Sequence, residues 1–227
     1  MFSRARIIRA DGQTMKSPGS QAKLYNDFSQ KKSDILIGTQ MISKGWDLPS
    51  VALVGIIDAD NLLSISDFYA NERAYQSIVQ ASGRVGRPGA KFKGSVVIQT
   101  FNPEHPVIRA AAERSFFKLY EREIKERKEL QMPPFGRIIK LIFQDHSQKK
   151  VDLEVQNVFL ALSKIKNNHV KIYEPHLPLS SRVLGRFRKQ IIVKCSESEQ
   201  KISREVAKIL NFLPTGWIID VDPISII

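Results

Sequence analysis

Apolar and polar positions in the first half of the chain predict short strands that alternate with helices. Apolar runs bounded by polar or turn residues predict strands near residues 6–9, 34–38, 51–57 and 94–100. Helical patterns are predicted over residues 20–30, 67–79 and 82–85. Strands that alternate with helices are typical of a parallel sheet with right-handed crossovers. We therefore expect residues 1–103 to form one α/β domain.

The second half predicts a charged connector and then a small α+β domain. Opposite charges three and four residues apart predict an exposed helix over 106–131, inside a connector that we place at 104–131. From residue 132 a strand, a helix, a strand pair, a helix and a strand are predicted at 137–143, 150–166, 183–195, 199–210 and 217–221. This β-α-β-β-α-β order favours a ferredoxin-like arrangement over residues 132–227.

Charge and composition favour a nucleic-acid partner. The 227 residues include 35 Lys and Arg against 23 Asp and Glu, a formal charge of +12. Such an excess favours DNA or RNA, although ribosomal or membrane contacts would give the same number. No apolar run reaches the roughly 18 residues of a membrane-spanning helix. The chain has a single cysteine, so no disulfide framework is expected within it, and we expect a cytoplasmic protein.

Two polar stretches carry the candidate chemistry. Residues 80–87 hold two Gly-Arg pairs three residues apart behind Gln80, a pattern that we place at the start of a helix. Arginine offers a planar fork of donors to phosphate oxygens, and glycine lets backbone approach closely. Upstream, Thr39, Lys44 and Asp47 follow one predicted strand and Asp58 follows the next. Because the carboxyl ends of parallel strands share one edge of a sheet, these residues are expected near one rim.

The two stretches together resemble motifs V and VI of the superfamily 2 helicases. Residues 38–47 resemble G-T-x-x-x-x-K-G-x-D, and residues 80–87 resemble Q-x-x-G-R-x-G-R. Further pieces resemble the PriA family of replication-restart helicases, at residues 58–60, 67–68, 72–73, 100–106, 132–135 and 220–223. The resemblance implies an incomplete RecA-like helicase lobe followed by the α+β domain. It also implies catalytic Arg84 and Arg87, nucleotide contacts by Asp47, Gln80 and Gly83, and DNA contacts by Thr39, Gln40 and Lys44.

Parts of a complete helicase are missing from the sequence. It contains no G-x-x-x-x-G-K-[ST] phosphate loop, so ATP and Mg²⁺ are expected only with another lobe, and the chain alone is predicted to be inactive. Asp58 and Asp60 follow an apolar strand as Walker B acids do, but they lie between the two motifs, and we interpret them as turn caps. The paired cysteines that hold zinc in the family are absent, so no metal site is expected. The sequence leaves open a truncated product, or a split protein whose first helicase lobe is a separate chain.

A basic segment at residues 182–190 surrounds Phe187 with cationic side chains. This pattern suits single-stranded DNA, an acidic peptide tail, or an ordinary solvated hairpin. The family resemblance implies that Arg186 and Gln190 contact the acidic tail of single-stranded-DNA-binding protein. Two other functions stay open for the chain: a non-catalytic module that binds nucleic acid or protein, and a remnant that does not fold alone.

Overall fold

The computed structural model describes residues 4–14, 17–39, 46, 48, 51–65, 67–85, 93–196 and 204–227. The chain forms two compact units. The first comprises Met1–Ile65 and Ala70–Phe116, and the second comprises Ser66–Tyr69 and Phe117–Ile227. Between its two stretches in the first unit, the chain therefore passes through the second unit at Ser66–Tyr69. Among the described residues, no helix is long and apolar enough to cross a membrane.

The first unit is a mixed α/β structure with two small parallel sheets. Its elements are β1 Ile7–Ala10, α1 Ser20–Ser29, β2 Ile35–Gly38, β3 Leu53–Ile56, α2 Asp60–Leu63, α3 Ala70–Ser82, β4 Ser95–Ile98 and α4 Pro106–Ala112. Strand β1 pairs in parallel with β2, and β3 pairs in parallel with β4. The four predicted strands are therefore present. Within the described residues they form two separate pairs rather than one continuous sheet.

The helix predicted over residues 82–85 is wrong, because α3 continues to Ser82 and ends there. The amide of Gly83 donates to the carbonyl of Val79 at 2.9 Å, and the next two amides make tighter turn-type bonds to residues three back. Glycine is a poor helix former, so the helix stops where the first Gly-Arg pair begins. The Gln80–Arg84 stretch consequently lies at the carboxyl end of a helix, not at its start.

The charged segment 106–131 is also not one exposed helix. Helix α4 is followed by a break at residues 113–115 and then by α5, Phe116–Glu129. Arg114 takes a left-handed conformation with φ of 54°, and the Ser115 amide bonds back to the carbonyl of Ala110. These bonds satisfy carbonyls at the helix end, as left-handed caps do. On α5, Leu119, Glu123 and Arg127 are buried at four-residue spacing, so two charged residues face inward.

The second unit is built on one antiparallel sheet. Its further elements are β5 Arg137–Asp145, α6 Gln148–Ser163, β6 Val170–Ile172, β7 Arg182–Val183, β8 Arg186–Cys195, α7 Arg204–Asn211 and β9 Trp217–Val221. The strand order is β6-β8-β5-β9, and β7 pairs with β8. Strand β6 was not predicted, because a three-residue strand is too short to show an apolar pattern. One face of the sheet forms the core with α6 and α7 through Ile139, Leu141 and Val193.

The opposite face of the same sheet carries the last five residues of the sequence, 223–227, which we call the terminal strap. The ammonium of Lys140 on β5 donates to the carbonyls of Ser225 and Ile227 at 3.1 and 2.9 Å. The amide nitrogen of Gln190 on β8 donates to the carbonyl of Ile226 at 2.8 Å. Side chains from two neighbouring strands therefore hold three consecutive carbonyls of the strap.

Candidate functional site

The two helicase-like stretches meet at Arg84 and Trp46. Arg84 follows α3, and its Nη1 donates a hydrogen bond to the backbone carbonyl of Trp46 in the upstream polar loop. Trp46 is buried and packs edge-on against Tyr25 of α1, with ring centres 5.7 Å apart. The Arg84 side chain is half-buried. The guanidinium therefore ties the end of α3 to Trp46, which itself packs against Tyr25 of α1.

The sequence prediction did not identify Trp46 as a partner of Arg84. A tryptophan between Gly45 and Asp47, in a loop that is otherwise polar, was the available signal. A backbone carbonyl carries no residue-specific mark, so the bond itself could not be predicted from residue types.

Several predicted site residues lie outside the described part of the chain. These are Gln40, Lys44, Asp47 and Arg87. Thr39 is described, and it is exposed directly after β2, at the carboxyl end predicted for it.

Gln80 and Gly83 lie within one turn of each other at the end of α3. Gln80 is exposed, so its amide is available to a ligand. A Cβ added at Gly83 would lie 3.3 Å from the carbonyl oxygen of Val79, which is closer than most side chains tolerate. Because glycine has no Cβ, the backbone of residue 83 can lie this close to the Val79 carbonyl at the end of α3, directly before Arg84.

The two acids after β3 have structural hydrogen bonds, in agreement with their interpretation as caps. One carboxylate oxygen of Asp60 accepts from the Phe101 amide at 2.9 Å, and the other accepts from the Thr100 hydroxyl at 2.9 Å. These bonds hold the pKa of Asp60 below its ordinary value, and the bond from the Phe101 amide has the largest effect. Asp58 has a φ of 53° and receives a hydrogen bond from the Asn61 side chain at 2.5 Å. Both acids thus fasten the turn that follows β3.

In the second unit the basic segment forms a β-hairpin, the 182–190 hairpin. Leu184 and Gly185 connect its strands, and both have positive φ, 49° and 78°. Arg182 lies with its guanidinium carbon 4.7 Å from the centre of the Phe187 ring, and Arg186 is exposed. Lys189 is paired with Asp152 of α6 at 2.8 Å. Arg182 and Arg186 are therefore the cations of this hairpin that face solvent beside its tip.

Gln190 does not share the exposure of Arg186. Its side chain is fully buried, and its amide nitrogen donates to Ile226 and, at 2.8 Å, to Nε2 of His176. His176 Nδ1 lies 3.0 Å from the carbonyl of Glu174, to which it donates, so Nε2 is the acceptor. Among the described residues nothing donates to Gln190 Oε1, although that oxygen is buried. The Gln190 amide is therefore engaged by Ile226 of the terminal strap and is not exposed to an external ligand.

No metal centre is found in the described residues. They contain no group of three or more His, Cys, Asp and Glu side chains placed to hold a metal ion. Cys195 is buried in the core of the second unit. The donor set that zinc requires therefore does not fit this part of the chain.

The comparisons with known proteins divide the chain into two regions, and both helicase-like stretches lie in the first. A model of the helicase conserved C-terminal domain matches residues 2–89, and a model of the primosomal protein N C-terminal domain matches residues 128–224. The replication restart protein PriA of Synechocystis is 34% identical over 227 residues, covering 99% of this chain and 27% of that protein. PriA of Bacillus subtilis is 34% identical over 207 residues, covering 91% of this chain and 25% of that protein. The chain belongs to the PriA family.

This chain corresponds to the carboxy-terminal part of PriA, and it spans about a third or less of the relatives it matches. PriA of Treponema pallidum, for example, is 32% identical over 234 residues, which are 100% of this chain and 35% of that protein. The Arg84–Trp46 bond lies in the region that matches the helicase conserved C-terminal domain. Arg186 and Gln190 lie in the region that matches the primosomal domain.

Proposed function

We propose that this chain supplies the carboxy-terminal part of an ATP-dependent DNA helicase that acts in replication restart and primosome assembly. The observation that supports this most directly is the hydrogen bond from Arg84 to Trp46, because it joins the two helicase-like stretches at one place. The first unit would be part of a RecA-like lobe, and the second unit a ferredoxin-like α+β domain. Membership of the PriA family supports both assignments.

In this proposal ATP and Mg²⁺ are held by a lobe that the chain does not contain. The bound ATP supplies the phosphoryl group that is transferred to water. The role of this chain is to place arginine side chains beside the negative charge that develops on the transferred phosphoryl group. This stabilises the transition state and requires no covalent bond to the protein. Arg84 and Arg87 have this role, while Asp47, Gln80 and Gly83 line the nucleotide side.

Of the two arginines we assign the larger catalytic share to Arg87. Arg84 is half-buried and already donates to a backbone carbonyl within its own unit. A guanidinium engaged in this way is suited to positioning the loop that contains Trp46. Arg87 comes one Gly-Arg repeat later and is, in this assignment, the arginine that reaches the nucleotide.

DNA is the proposed substrate, and it contacts the loop after β2. Thr39, Gln40 and Lys44 offer a hydroxyl, an amide and an ammonium to a phosphate backbone, which carry no base specificity. Thr39 is exposed at the carboxyl end of β2, where such a contact requires it. Backbone contacts of this kind allow a motor to move along DNA of any sequence.

A second partner, the acidic tail of single-stranded-DNA-binding protein, is proposed for the second unit. Exposed Arg186 would pair with the carboxylates of the tail, and Gln190 would supply a hydrogen bond. Because Gln190 is buried beneath the terminal strap, its contact requires the strap to move. Arg186 therefore makes the first contact in this proposal.

Reconstitution tests the proposal. Purified chain alone should hydrolyse no ATP, with or without DNA, since it has no phosphate loop. Addition of a second chain that carries the remaining PriA domains should give DNA-stimulated hydrolysis. Hydrolysis by this chain alone would contradict the assignment of ATP to another lobe. A reconstituted mixture that binds DNA and never hydrolyses ATP would favour a non-catalytic binding module instead.

A further inference from the structure

The tip of the 182–190 hairpin has a residue that the turn geometry does not favour. A two-residue hairpin turn with positive φ at both positions is a type I′ turn, for which Asn-Gly is the preferred pair. This chain has Leu184-Gly185. A leucine in the left-handed region is uncommon and sterically unfavourable, while glycine at 185 adopts it without cost.

The same leucine is also almost completely exposed. Its side chain is 94% accessible to solvent, so it contributes nothing to the core of its unit. Leu184 therefore has two unfavourable features: its backbone has a positive φ, and its apolar side chain is exposed to water. Because the leucine is exposed at the tip of the hairpin, it is accessible to a partner outside the molecule.

Charge beside the tip indicates the chemistry of that contact. Arg182 and Arg186 flank the Leu184-Gly185 turn on the two strands, and both are exposed. The guanidinium carbon of Arg182 lies 4.7 Å from the centre of the Phe187 ring on the paired strand. Arginine forks match phosphate oxygens, so an apolar tip between two such forks fits a base flanked by two phosphates.

We propose that Leu184 is a wedge that packs against an unstacked base where duplex DNA meets a single strand, while Arg182 and Arg186 bind the adjoining phosphates. This inference rests on the proposed function, because it takes DNA as a ligand of this chain, and at Arg186 DNA and the acidic tail compete for the same guanidinium. An apolar side chain that enters a continuous base stack must separate stacked bases, which costs free energy. At a junction the stack is already broken, so the same contact avoids that cost. The wedge therefore favours forked DNA over duplex.

The decisive variant is Leu184→Asn, because fold and function make opposite predictions for it. Asparagine tolerates the left-handed region and completes the preferred Asn-Gly turn, so thermal stability should be equal or higher. The affinity for a labelled fork, measured by fluorescence anisotropy, should fall by about fivefold, near the lower limit of what one stacked base contributes. Affinity for fully paired duplex of equal length should stay unchanged.

A matched control is Leu179→Asn, which removes a leucine that is 82% exposed in the loop before the hairpin. This control should bind the fork as the unaltered chain does. Leu184→Gly keeps the positive φ without strain and should lose fork affinity as Leu184→Asn does, while Leu184→Phe should retain it. Arg186→Glu should lower affinity and also reduce its salt dependence, whereas Leu184→Asn should leave the salt dependence intact.

The outcomes separate this inference from the proposed function. If the unaltered chain binds the fork and Leu184→Asn binds it equally well, the wedge is wrong and DNA binding stands. If the unaltered chain binds neither fork nor duplex, DNA is not its ligand. In that case the Leu184 wedge and the DNA contacts proposed for this chain are both wrong. If Leu184→Asn instead loses binding only to vesicles that contain anionic lipid, the tip serves a membrane surface and the wedge is overturned.

Discussion

The guanidinium carbon of Arg127 lies 4.3 Å from the centre of the Tyr69 ring. The same side chain donates to the carbonyl of Pro133 at 3.0 Å, and it lies 5.4 Å from the ring of Phe68. Arg127 is buried on α5 and holds the segment Ser66–Tyr69 as part of the second unit. A buried arginine between aromatic rings is stabilising only while its donors are satisfied.

Replacement of Arg127 should therefore destabilise the second unit. Arg127→Ala removes the ring contacts and the hydrogen bond, and we expect unfolding free energy to fall by about 2–3 kcal/mol. Arg127→Lys keeps the charge but not the planar fork, so a smaller loss is expected. Urea unfolding gives both values. Arg122→Ala, at an exposed position of the same helix, should change little; an equal loss there would mean that α5 depends on overall charge rather than on the Arg127 contacts.

A second prediction concerns acid stability through Arg6 and Asp34. Two side-chain hydrogen bonds from Arg6, at 2.8 and 3.0 Å, lower the pKa of Asp34 to about 2 from the ordinary 3.8. The folded state thus favours the charged carboxylate. Its contribution to stability is complete above the ordinary pKa and is lost as the pH falls from about 4 toward 2. Asp34→Asn should flatten the stability of the first unit in that window. An unchanged profile would show that the ion pair does not affect folding.

The terminal strap gives a third prediction. Lys140→Met removes the donor to Ser225 and Ile227, so the backbone amides of residues 224–227 should exchange with deuterium faster. The loss of two hydrogen bonds should lower the free energy of unfolding by about 1–2 kcal/mol. Lys194→Met is the control, since its ammonium donates to the carbonyl of Leu130 instead. Slow exchange that persists in Lys140→Met would mean that other contacts hold the strap.

The sequence predicted the strands more reliably than the helix boundaries. Strands β1 to β5, β8 and β9 coincide with apolar runs of the sequence, which predict strands whether or not the strand is deeply buried. Strands β5 and β8 are largely buried, whereas Leu53 of β3, Val97 of β4 and Ile219 of β9 are exposed. The end of α3 at Ser82 and the break at Arg114 depend on left-handed or tight backbone turns, which charge spacing does not encode. Burial of Arg127 could not be predicted either, because its partners Phe68 and Tyr69 lie almost sixty residues away.

The roles predicted for the candidate site residues stay predictions, and only the positions of some of these residues can be compared with the structure. Residue types and spacing indicated that residues 38–47 and 80–87 act together, and Arg84 does contact the upstream loop. Gln190 was predicted as a partner contact, yet its side chain is buried under the strap. A single polar residue in an alternating strand gives no sign of what covers it. The face of β8 that contains Gln190 is covered by residues 223–227, which lie more than thirty residues later in the sequence.

Binding of a partner tail should depend on Arg186. A labelled acidic peptide with a terminal aromatic residue should bind the chain weakly, and Arg186→Glu should weaken it further by charge reversal. The binding should diminish as salt is raised, because the contact is exposed. Equal binding by Arg186→Glu and the unaltered chain would show that the hairpin is only a solvated surface for this ligand.

The most direct test of the account is ATP hydrolysis by the chain reconstituted with a partner that carries the remaining PriA domains. Arg87→Ala should lower DNA-stimulated turnover by about 10³–10⁵-fold, the range for a catalytic arginine in phosphoryl transfer, and leave DNA affinity nearly intact. Arg84→Ala should lower it less, since Arg84 binds the Trp46 carbonyl. Wild-type turnover in Arg87→Ala, or loss of DNA binding in proportion to turnover, would contradict the assignment of the arginines to the nucleotide.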